Sequence, residues 1–306
     1  MRAHLEFERE LDRFREYLAE CDYVATTQKA YLLAVRSLRV FLDWKGELSA
    51  LREISAEDLR EFSIQLLNTD RGSSATAYMV GIRRFFAFLE ESGTIDASPA
   101  GNVFPPKAHP RPTRFLQGRE LTALLRACFG DGFYDLRDMA IFRIFMATGA
   151  RRSEVVDLRI MPNDSACGDL DLDDGVVRLR DGADRTRRCA LDPRTVRSIR
   201  RYLRARATQE KSELPDLWLT KYGGLTNGGI HDLAMARAAK AGVGGFRLHR
   251  IRVTFAHRWL CAGGNPGDLM RVLGLRSRKM IDGYADGVAG SRSAQAARGH
   301  FVHHRF

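Results

Sequence analysis

The heptapeptide Thr148-Gly-Ala-Arg-Arg-Ser-Glu154 joins two segments of helical character near the middle of the 306-residue chain. Apolar residues precede it at helical spacing, and Val155 and Leu158 place a buried stripe at i+4 and i+7 from Arg151. A guanidinium at such a turn can bind a phosphate through two parallel hydrogen bonds, although an arginine near a helix start often lies only in solvent. We therefore predict Arg151, rather than Arg152, as a phosphate-binding residue.

Two later segments carry further candidates. His249-Arg-Ile-Arg252 begins an apolar-periodic segment, so His249 and Arg252 lie on one side of a helix N-terminus with its free backbone N–H groups. These groups predict an anion-binding site. The simpler alternative is that His249 and Arg252 lie in the first turn of a helix and only face solvent. Tyr284 follows Leu273-Gly274 and is a candidate nucleophile for a phosphodiester, although most single tyrosines only pack.

Together these segments resemble the catalytic boxes of the tyrosine recombinase, or phage-type integrase, family. The family patterns TGxRxxE, HxxR-x-TFA and LG…Y match Thr148–Glu154, His249–Ala256 and Leu273-Gly274 to Tyr284. The N-terminal part is similar to the SAM-like core-binding domain of this family, through Thr27-x-Lys-Ala-Tyr31, Ser74-Ala-Thr76 and the stretch 96–103. The resemblance covers nearly the whole chain.

The resemblance implies a site-specific DNA recombinase or integrase. Arg151 and Arg252 would clamp the scissile phosphate, and His249 would serve in proton transfer and hydrogen bonding. Tyr284 would attack to give a 3′-phosphotyrosine link and a free 5′-hydroxyl, while Glu154 would be a structural partner. This chemistry conserves bond energy, so it implies neither a metal nor a nucleotide cofactor. The implied partners are double-stranded DNA and further copies of the chain, as a tetramer on paired sites.

Two positions depart from the family pattern. Leu275 replaces the usual His or Trp after the Leu-Gly pair, and it cannot donate a hydrogen bond. Gly182 stands where the family carries a lysine as general acid, whose loss typically costs on the order of 10² to 10⁴ in rate. Arg180 and Arg185 are poor proton donors at neutral pH. A catalytically impaired DNA-binding regulator or accessory factor is therefore the alternative, and a general topoisomerase would share the chemistry.

The periodicity predicts a mainly α, two-domain protein. A four-helix core-binding domain is expected at 1–104, a proline-rich linker at 105–115, and a helical catalytic domain with a small β-hairpin or sheet at 116–306. Leu5, Val40 and Ile64 belong to the apolar helical patterns of the first domain, and Ser55 with Asp58 predicts a helix start. Strands are predicted within 169–191, and further helices at 193–206, 231–241, 249–262, 266–274 and 277–284.

The charge is unevenly distributed. The chain carries +11, but residues 1–105 carry −4 and the remainder carries +15. A strongly basic second domain is typical of a protein that binds a phosphate backbone. Arg197, Arg200, Arg201 and Arg204 repeat at helical spacing and predict a basic face, with ordinary solvation as the alternative.

The composition indicates a globular protein of the reducing cytoplasm. The five cysteines are scattered, which argues against a disulfide framework and a CxxC zinc site. The sequence shows no membrane span and no signal peptide.

Overall fold

The computed structural model describes residues 2–46, 50–68, 75–103, 114–160, 168–181, 185–275, 277 and 281. The chain divides into two compact units, Met1–Arg111 and Pro112–Phe306. Within the described ranges helices predominate and strands are few and short, so the predicted fold class is confirmed. The predicted linker at 105–115 lies outside the described residues except for its last two positions. None of the described helices is both long and apolar enough to cross a membrane.

The first unit is a bundle of helices. They are α1 Arg2–Glu20, α2 Ala25–Lys45, a single 3₁₀ turn Leu51–Glu53, α3 Ala56–Asn68 and α4 Ala75–Glu91. Aromatic rings fill the core between α1 and α4, where the ring centroids of Phe14 and Phe85 are 5.2 Å apart. Ser55 and Asp58 cap α3 as predicted, because each side chain accepts the backbone N–H of the other.

Three apolar residues of this unit face solvent instead of the core. Leu5, Val40 and Ile64 are 68%, 64% and 50% exposed. Each lies two positions from a buried residue of the same helix, for example Phe7 after Leu5. At 3.6 residues per turn, residues two apart point to nearly opposite sides of a helix. The prediction that all three belong to the buried stripes is therefore wrong.

The second unit combines helices with two small antiparallel sheets. Its helices are α5 Gly118–Arg126, α6 Phe133–Thr148, α7 Arg152–Val156, α8 Pro193–Arg206, α9 Asn227–Lys240, α10 Leu248–Cys261 and α11 Pro266–Leu273. Its strands are β1 Leu170–Asp171, β2 Val176–Arg180, β3 Thr186–Ala190, β4 Leu219–Thr220 and β5 Gly223–Gly224. The sheet order is β1-β2-β3, and β4 pairs with β5. Sequence periodicity gives no sign of the β4–β5 pair because each strand is two residues long.

Buried polar contacts fix α7 against the core of this unit. The indole N–H of the buried Trp218 donates to the Val155 carbonyl at 2.7 Å. The Tyr202 hydroxyl donates to the neighbouring Leu217 carbonyl at 2.9 Å. These bonds satisfy polar groups that would otherwise be buried alone, which is costly. They also fix the short helix that follows Arg151.

Side chains of helix α10 contact two different parts of the second unit. Arg250 and Thr254 are buried and hold the segment that enters the unit. The Arg250 Nε donates to the Arg114 carbonyl at 2.9 Å, and the Thr254 hydroxyl accepts the Leu116 N–H at 2.7 Å. Arg252, two positions after Arg250, contacts other elements and belongs to the candidate site described below.

The turn between α6 and α7 depends on a glycine. Gly149 ends α6 at φ 61°, in the left-handed region that favours glycine. A Cβ atom at this position would lie 2.7 Å from Leu273 Cδ2 and 2.9 Å from Phe255 Cδ1. The backbone of the turn therefore packs directly against side chains of α10 and α11.

We expect Gly149→Ala to destabilise the second unit more than Gly242→Ala does. Gly242 has a similar φ of 66°, but no atom lies within 4 Å of its Cβ position. Backbone strain should lower the free energy of unfolding of the control, Gly242→Ala, by about 1 kcal/mol. Overpacking should lower that of Gly149→Ala by about 1–3 kcal/mol more. Urea unfolding measures both losses. Equal losses would show that close packing at Gly149 contributes nothing.

Candidate active site

The candidate site forms where the α6–α7 turn, the start of α10 and the end of α11 meet. The structure brings Arg151, Arg252 and His249 to this place. Arg151 is the residue immediately before α7, and both other residues lie in the first turns of α10. Tyr284 and Gly182 lie outside the described residues.

The C-terminus of α11 closes in a glycine turn. Gly274 has φ 61°, its N–H donates to the Arg271 carbonyl at 3.2 Å, and the Leu275 N–H donates to the Met270 carbonyl at 2.9 Å. This pair of bonds is the Schellman motif, which satisfies two of the carbonyls that a helix end leaves without partners. The carbonyls of residues 272–274 still need donors.

Arginines from three different segments supply those donors. Arg187 Nε donates to the Val272 carbonyl at 2.7 Å. Arg252 Nη2 donates to the Leu273 carbonyl at 2.6 Å, and Arg151 Nη2 donates to the Gly274 carbonyl at 2.8 Å. The carboxyl end of a helix carries partial negative charge, so it attracts cations. The arginines are therefore drawn together by backbone groups.

The carboxylate of Glu154 lies between two of these arginines and is 1% exposed. Arg187 binds it through two parallel bonds, Nη1 to Oε1 at 2.6 Å and Nη2 to Oε2 at 2.7 Å. Arg151 Nη1 adds a bond of 2.9 Å to Oε1, and the Arg151 backbone N–H donates to Oε2 at 2.6 Å. A buried carboxylate needs such partners because an isolated buried charge is very unfavourable. Glu154 thus contacts the arginines, as expected for a structural partner.

The two arginines proposed as a phosphate clamp differ in exposure. Arg252 is 4% exposed, and its Nη1 also donates to the Gly149 carbonyl at 2.9 Å. The Arg151 side chain is 32% exposed. Each guanidinium carries its N–H donors in a planar fork, which matches two oxygens of one phosphate. Fixed guanidinia near a helix end can stabilise negative charge without rearranging.

His249 is the second residue of α10 and is exposed to solvent, although part of its side chain is covered. Partial burial, and secondarily the charge of Arg252, lower the pKa of the His249 imidazole below its usual value. Both effects disfavour the charged ring. None of the described residues forms a hydrogen bond with this ring, and its neutral form is favoured at neutral pH. A neutral imidazole can accept a proton.

Leu275 directly follows the arginine-bound carbonyls and is 9% exposed. It packs in an apolar cluster with Leu260, Leu269 and Leu273, and with Ile281, which lies three positions before Tyr284. The side chain therefore fills space in the core of the site. It offers no hydrogen bond to a substrate.

Arg187 is the residue of this site that the motif comparison does not reveal. Burial lowers its pKa, but the hydrogen bonds and charge of Glu154 outweigh burial and raise the pKa above its usual value. The strand alternation carried a usable signal, because Cys189 two positions later is buried and shares its face of β3. An arginine on an inward strand face predicts a buried carboxylate partner.

Two family models match the chain. The model described as "Phage integrase family" covers residues 114–289, and "Phage integrase, N-terminal SAM-like domain" covers residues 11–93. Among curated relatives, the tyrosine recombinase XerC of Lactobacillus delbrueckii subsp. bulgaricus is 24% identical over 86% of this chain and 89% of its own length. The tyrosine recombinase XerD of Lacticaseibacillus casei is 28% identical over 85% and 88%. These matches confirm the resemblance inferred from the sequence.

Solved structures show the same fold at low identity. The XerH recombinase in a post-cleavage complex with a palindromic difH substrate gives a TM-score of 0.70 at 16% identity, covering 88% of this chain and 78% of its own. A lambda integrase tetramer bound to a Holliday junction gives 0.68 at 16% identity, covering 90% and 76%. Similarity at this level of identity concerns the fold alone.

We expect Arg187→Gln to destabilise the second unit strongly. Glutamine removes the two-pronged partner of a buried carboxylate, which typically costs about 3–5 kcal/mol. Arg188→Gln is the matched control, because Arg188 is the next residue and is exposed. Its loss should stay within about 0.5 kcal/mol. Urea unfolding followed by circular dichroism compares the two variants; similar stabilities would contradict a supporting role for the Arg187–Glu154 pair.

Proposed function

The chain belongs to the phage integrase family, and we propose on that premise that it is a site-specific recombinase that cleaves and rejoins DNA strands through a 3′-phosphotyrosine intermediate. One observation carries the proposal. The guanidinia of Arg151 and Arg252 bind adjacent carbonyls, Gly274 and Leu273, at one helix end. A single phosphodiester group could bind to both of these neighbouring cations.

In this proposal Arg151 and Arg252 clamp the scissile phosphate. Their charges offset the negative charge that grows on the non-bridging oxygens as phosphorus becomes pentacoordinate. Groups that are already oriented toward the place where charge develops lower the barrier most. The buried Glu154, bound by Arg187, orients Arg151 without taking part in the chemistry.

The proposed nucleophile is the hydroxyl of Tyr284. Its oxygen forms a bond to phosphorus while the bond from phosphorus to the 5′-oxygen breaks. The tyrosine proton passes to a base, and the 5′-oxygen takes up a proton and leaves as a hydroxyl. His249, whose neutral ring is favoured, is the proposed proton acceptor. One phosphodiester is exchanged for another, and attack by a 5′-hydroxyl reverses the step.

The 5′-oxygen needs a proton donor in order to leave as a hydroxyl. The family's lysine is replaced by Gly182, and Leu275 is packed among apolar side chains. These two residues favour the second candidate, a recombinase-fold protein that binds DNA without cutting it. Retention of Arg151, His249, Arg252 and Tyr284 favours the active enzyme. The experiments below separate the two.

We further propose that the chain acts on double-stranded DNA as a homo-oligomer. The related lambda integrase was solved as a tetramer on a Holliday junction, and XerH was solved on its difH substrate. Residues 1–104 would serve as the core-binding domain and 116–306 as the catalytic domain, joined by the linker at 105–115. The net charge of +15 beyond residue 105 supports phosphate contacts chiefly from the second domain.

Tyr284→Phe should abolish a covalent protein–DNA adduct while leaving DNA affinity nearly unchanged. The substitution removes only the nucleophilic hydroxyl, whereas affinity depends on the basic surface. A pool of nicked duplexes with random arms serves as substrate, because a nick beside the scissile phosphate lets the cut strand diffuse away. Adducts are detected on a denaturing gel and their DNA is sequenced, which also identifies the target site.

Tyr222→Phe is the matched control, since Tyr222 is 80% exposed and undergoes the same change. It should form adduct at the wild-type rate. If adduct persists in Tyr284→Phe, the nucleophile has been assigned to the wrong residue.

Gly182→Lys should speed cleavage of ordinary DNA and have little effect on DNA with a 5′-bridging sulfur at the scissile phosphate. Sulfur leaves without an acid, so the wild-type protein should cut the sulfur substrate on the order of 10² to 10⁴ times faster than ordinary DNA. The lysine should reduce this difference in cleavage rate between the two substrates. Single-turnover rates on the selected site measure both substrates.

Gly244→Lys is the matched control, because it adds the same charge at a glycine with open space around it. It should leave the difference in cleavage rate between the two substrates unchanged. Equal wild-type rates on the two substrates would mean that another residue, Arg185 or Lys279 first, already supplies the proton. Failure to cut either substrate while DNA is still bound would favour the non-catalytic candidate.

A further inference from the structure

Asp181 contacts the more exposed arginine of the clamp. The Asp181 Oδ2 lies 2.9 Å from Arg151 Nη1, and the two side chains are 28% and 32% exposed. The same nitrogen donates to Glu154 Oε1 at 2.9 Å, and Arg151 Nη2 donates to the Gly274 carbonyl. Two carboxylates therefore share one guanidinium, and only one of them is buried.

The two carboxylates differ in how firmly they are held. Glu154 is fixed by four hydrogen bonds and is 1% exposed. Asp181 follows β2, and its backbone N–H donates to the Arg185 carbonyl at 2.7 Å. Among the described residues its carboxylate forms a salt bridge with Arg151, and its charge also acts on Arg187. The Asp181 side chain can therefore leave Arg151 while its backbone stays in place.

A phosphate that binds Arg151 meets this carboxylate. Asp181 contributes one negative charge beside the accessible part of the guanidinium, which is also where a phosphodiester would place its oxygens. Two anions at one nitrogen repel each other, and the repulsion is screened little at such short range. Binding of one anion thus opposes binding of the other.

We propose that Asp181 occupies the phosphate-binding position of Arg151 in the DNA-free protein and competes there with the scissile phosphate. The inference rests on the proposed role of Arg151 as a phosphate clamp. A phosphate presented by bound DNA has a high effective concentration at the clamp and displaces the carboxylate. A free anion lacks that advantage. Asp181 therefore makes the clamp selective for phosphates that the rest of the DNA interface has already positioned.

This competition has a reciprocal consequence. If phosphate weakens the Asp181–Arg151 contact, that contact must weaken phosphate binding by the same factor, so removing the Asp181 charge strengthens phosphate binding. A partly exposed ion pair typically contributes little to folding. Asp181→Asn should therefore leave the unfolding midpoint nearly unchanged while it changes anion affinity.

The experiment titrates the full-length protein with inorganic phosphate at constant ionic strength and follows binding by phosphorus NMR line width. Asp181→Asn should bind phosphate about two to five times more tightly than wild type, the range expected for losing a partly exposed charge pair. Asp173→Asn is the matched control. Asp173 lies in the β1–β2 turn, is 96% exposed and pairs with Arg200, so it makes the same charge change elsewhere on the sheet.

Arg151→Gln provides the second comparison. In that background Asp181→Asn should have no effect on phosphate affinity, because the shared nitrogen is gone. Equal tightening in Asp173→Asn, or tightening that survives in Arg151→Gln, would overturn the proposal in favour of general electrostatics. An unchanged or weaker affinity in Asp181→Asn would also overturn it.

The comparison of Asp181→Asn with Asp173→Asn needs no change at Arg151, so it decides the matter even if Arg151→Gln folds poorly. It also needs no strand cleavage. A protein that fails to form a covalent adduct but shows the predicted phosphate competition would lose the proposed catalytic function and keep this inference.

Discussion

The carboxyl end of α11 leaves three carbonyl oxygens without partners in the helix, and arginines from three separate segments bind them. Arg151 comes from the turn after α6, Arg187 from β3 and Arg252 from α10. Without these acceptors the like charges would repel, and with them the backbone itself assembles a cationic site. Glu154 adds the one buried negative charge that this assembly contains among its described contacts. The resulting guanidinia are held in fixed positions by backbone carbonyls and by Glu154.

The local segments of this site can be predicted from the sequence. Arg151 and Arg252 belong to short motifs whose spacing alone indicates a turn and a helix start. Arg187 lies 33 residues from Glu154 and 85 from Val272 along the chain, so its partners depend on tertiary packing. Local periodicity also assigned Leu5 to a buried face because it marks apolar residues without fixing which side of the helix meets the core. Long-range contacts therefore account for most of what the sequence leaves open.

The ion pairs of the arginines in α8 also depend on long-range contacts. The arginines of α8 predict a strongly basic face, yet Arg200 pairs with Asp173 and Arg201 pairs with Asp131. Arg206, at the end of the same helix, is buried and donates to backbone carbonyls, including that of Leu217. A net charge reports how many cations a domain holds. Their partners, which decide how much positive charge reaches a DNA backbone, appear only in the fold.

Helix α10 has a mechanical consequence. Arg250 and Thr254 form hydrogen bonds with the backbone of Arg114 and Leu116. Arg252 forms a hydrogen bond with the backbone at the end of α11. Residues 250 and 252 differ by about 200° around the helix axis, so α10 is held by contacts on two opposite sides. A sideways pull on the entering chain acts on it as a torque. The helix must then turn, which moves Arg252, or the buried bonds to the entering chain must break.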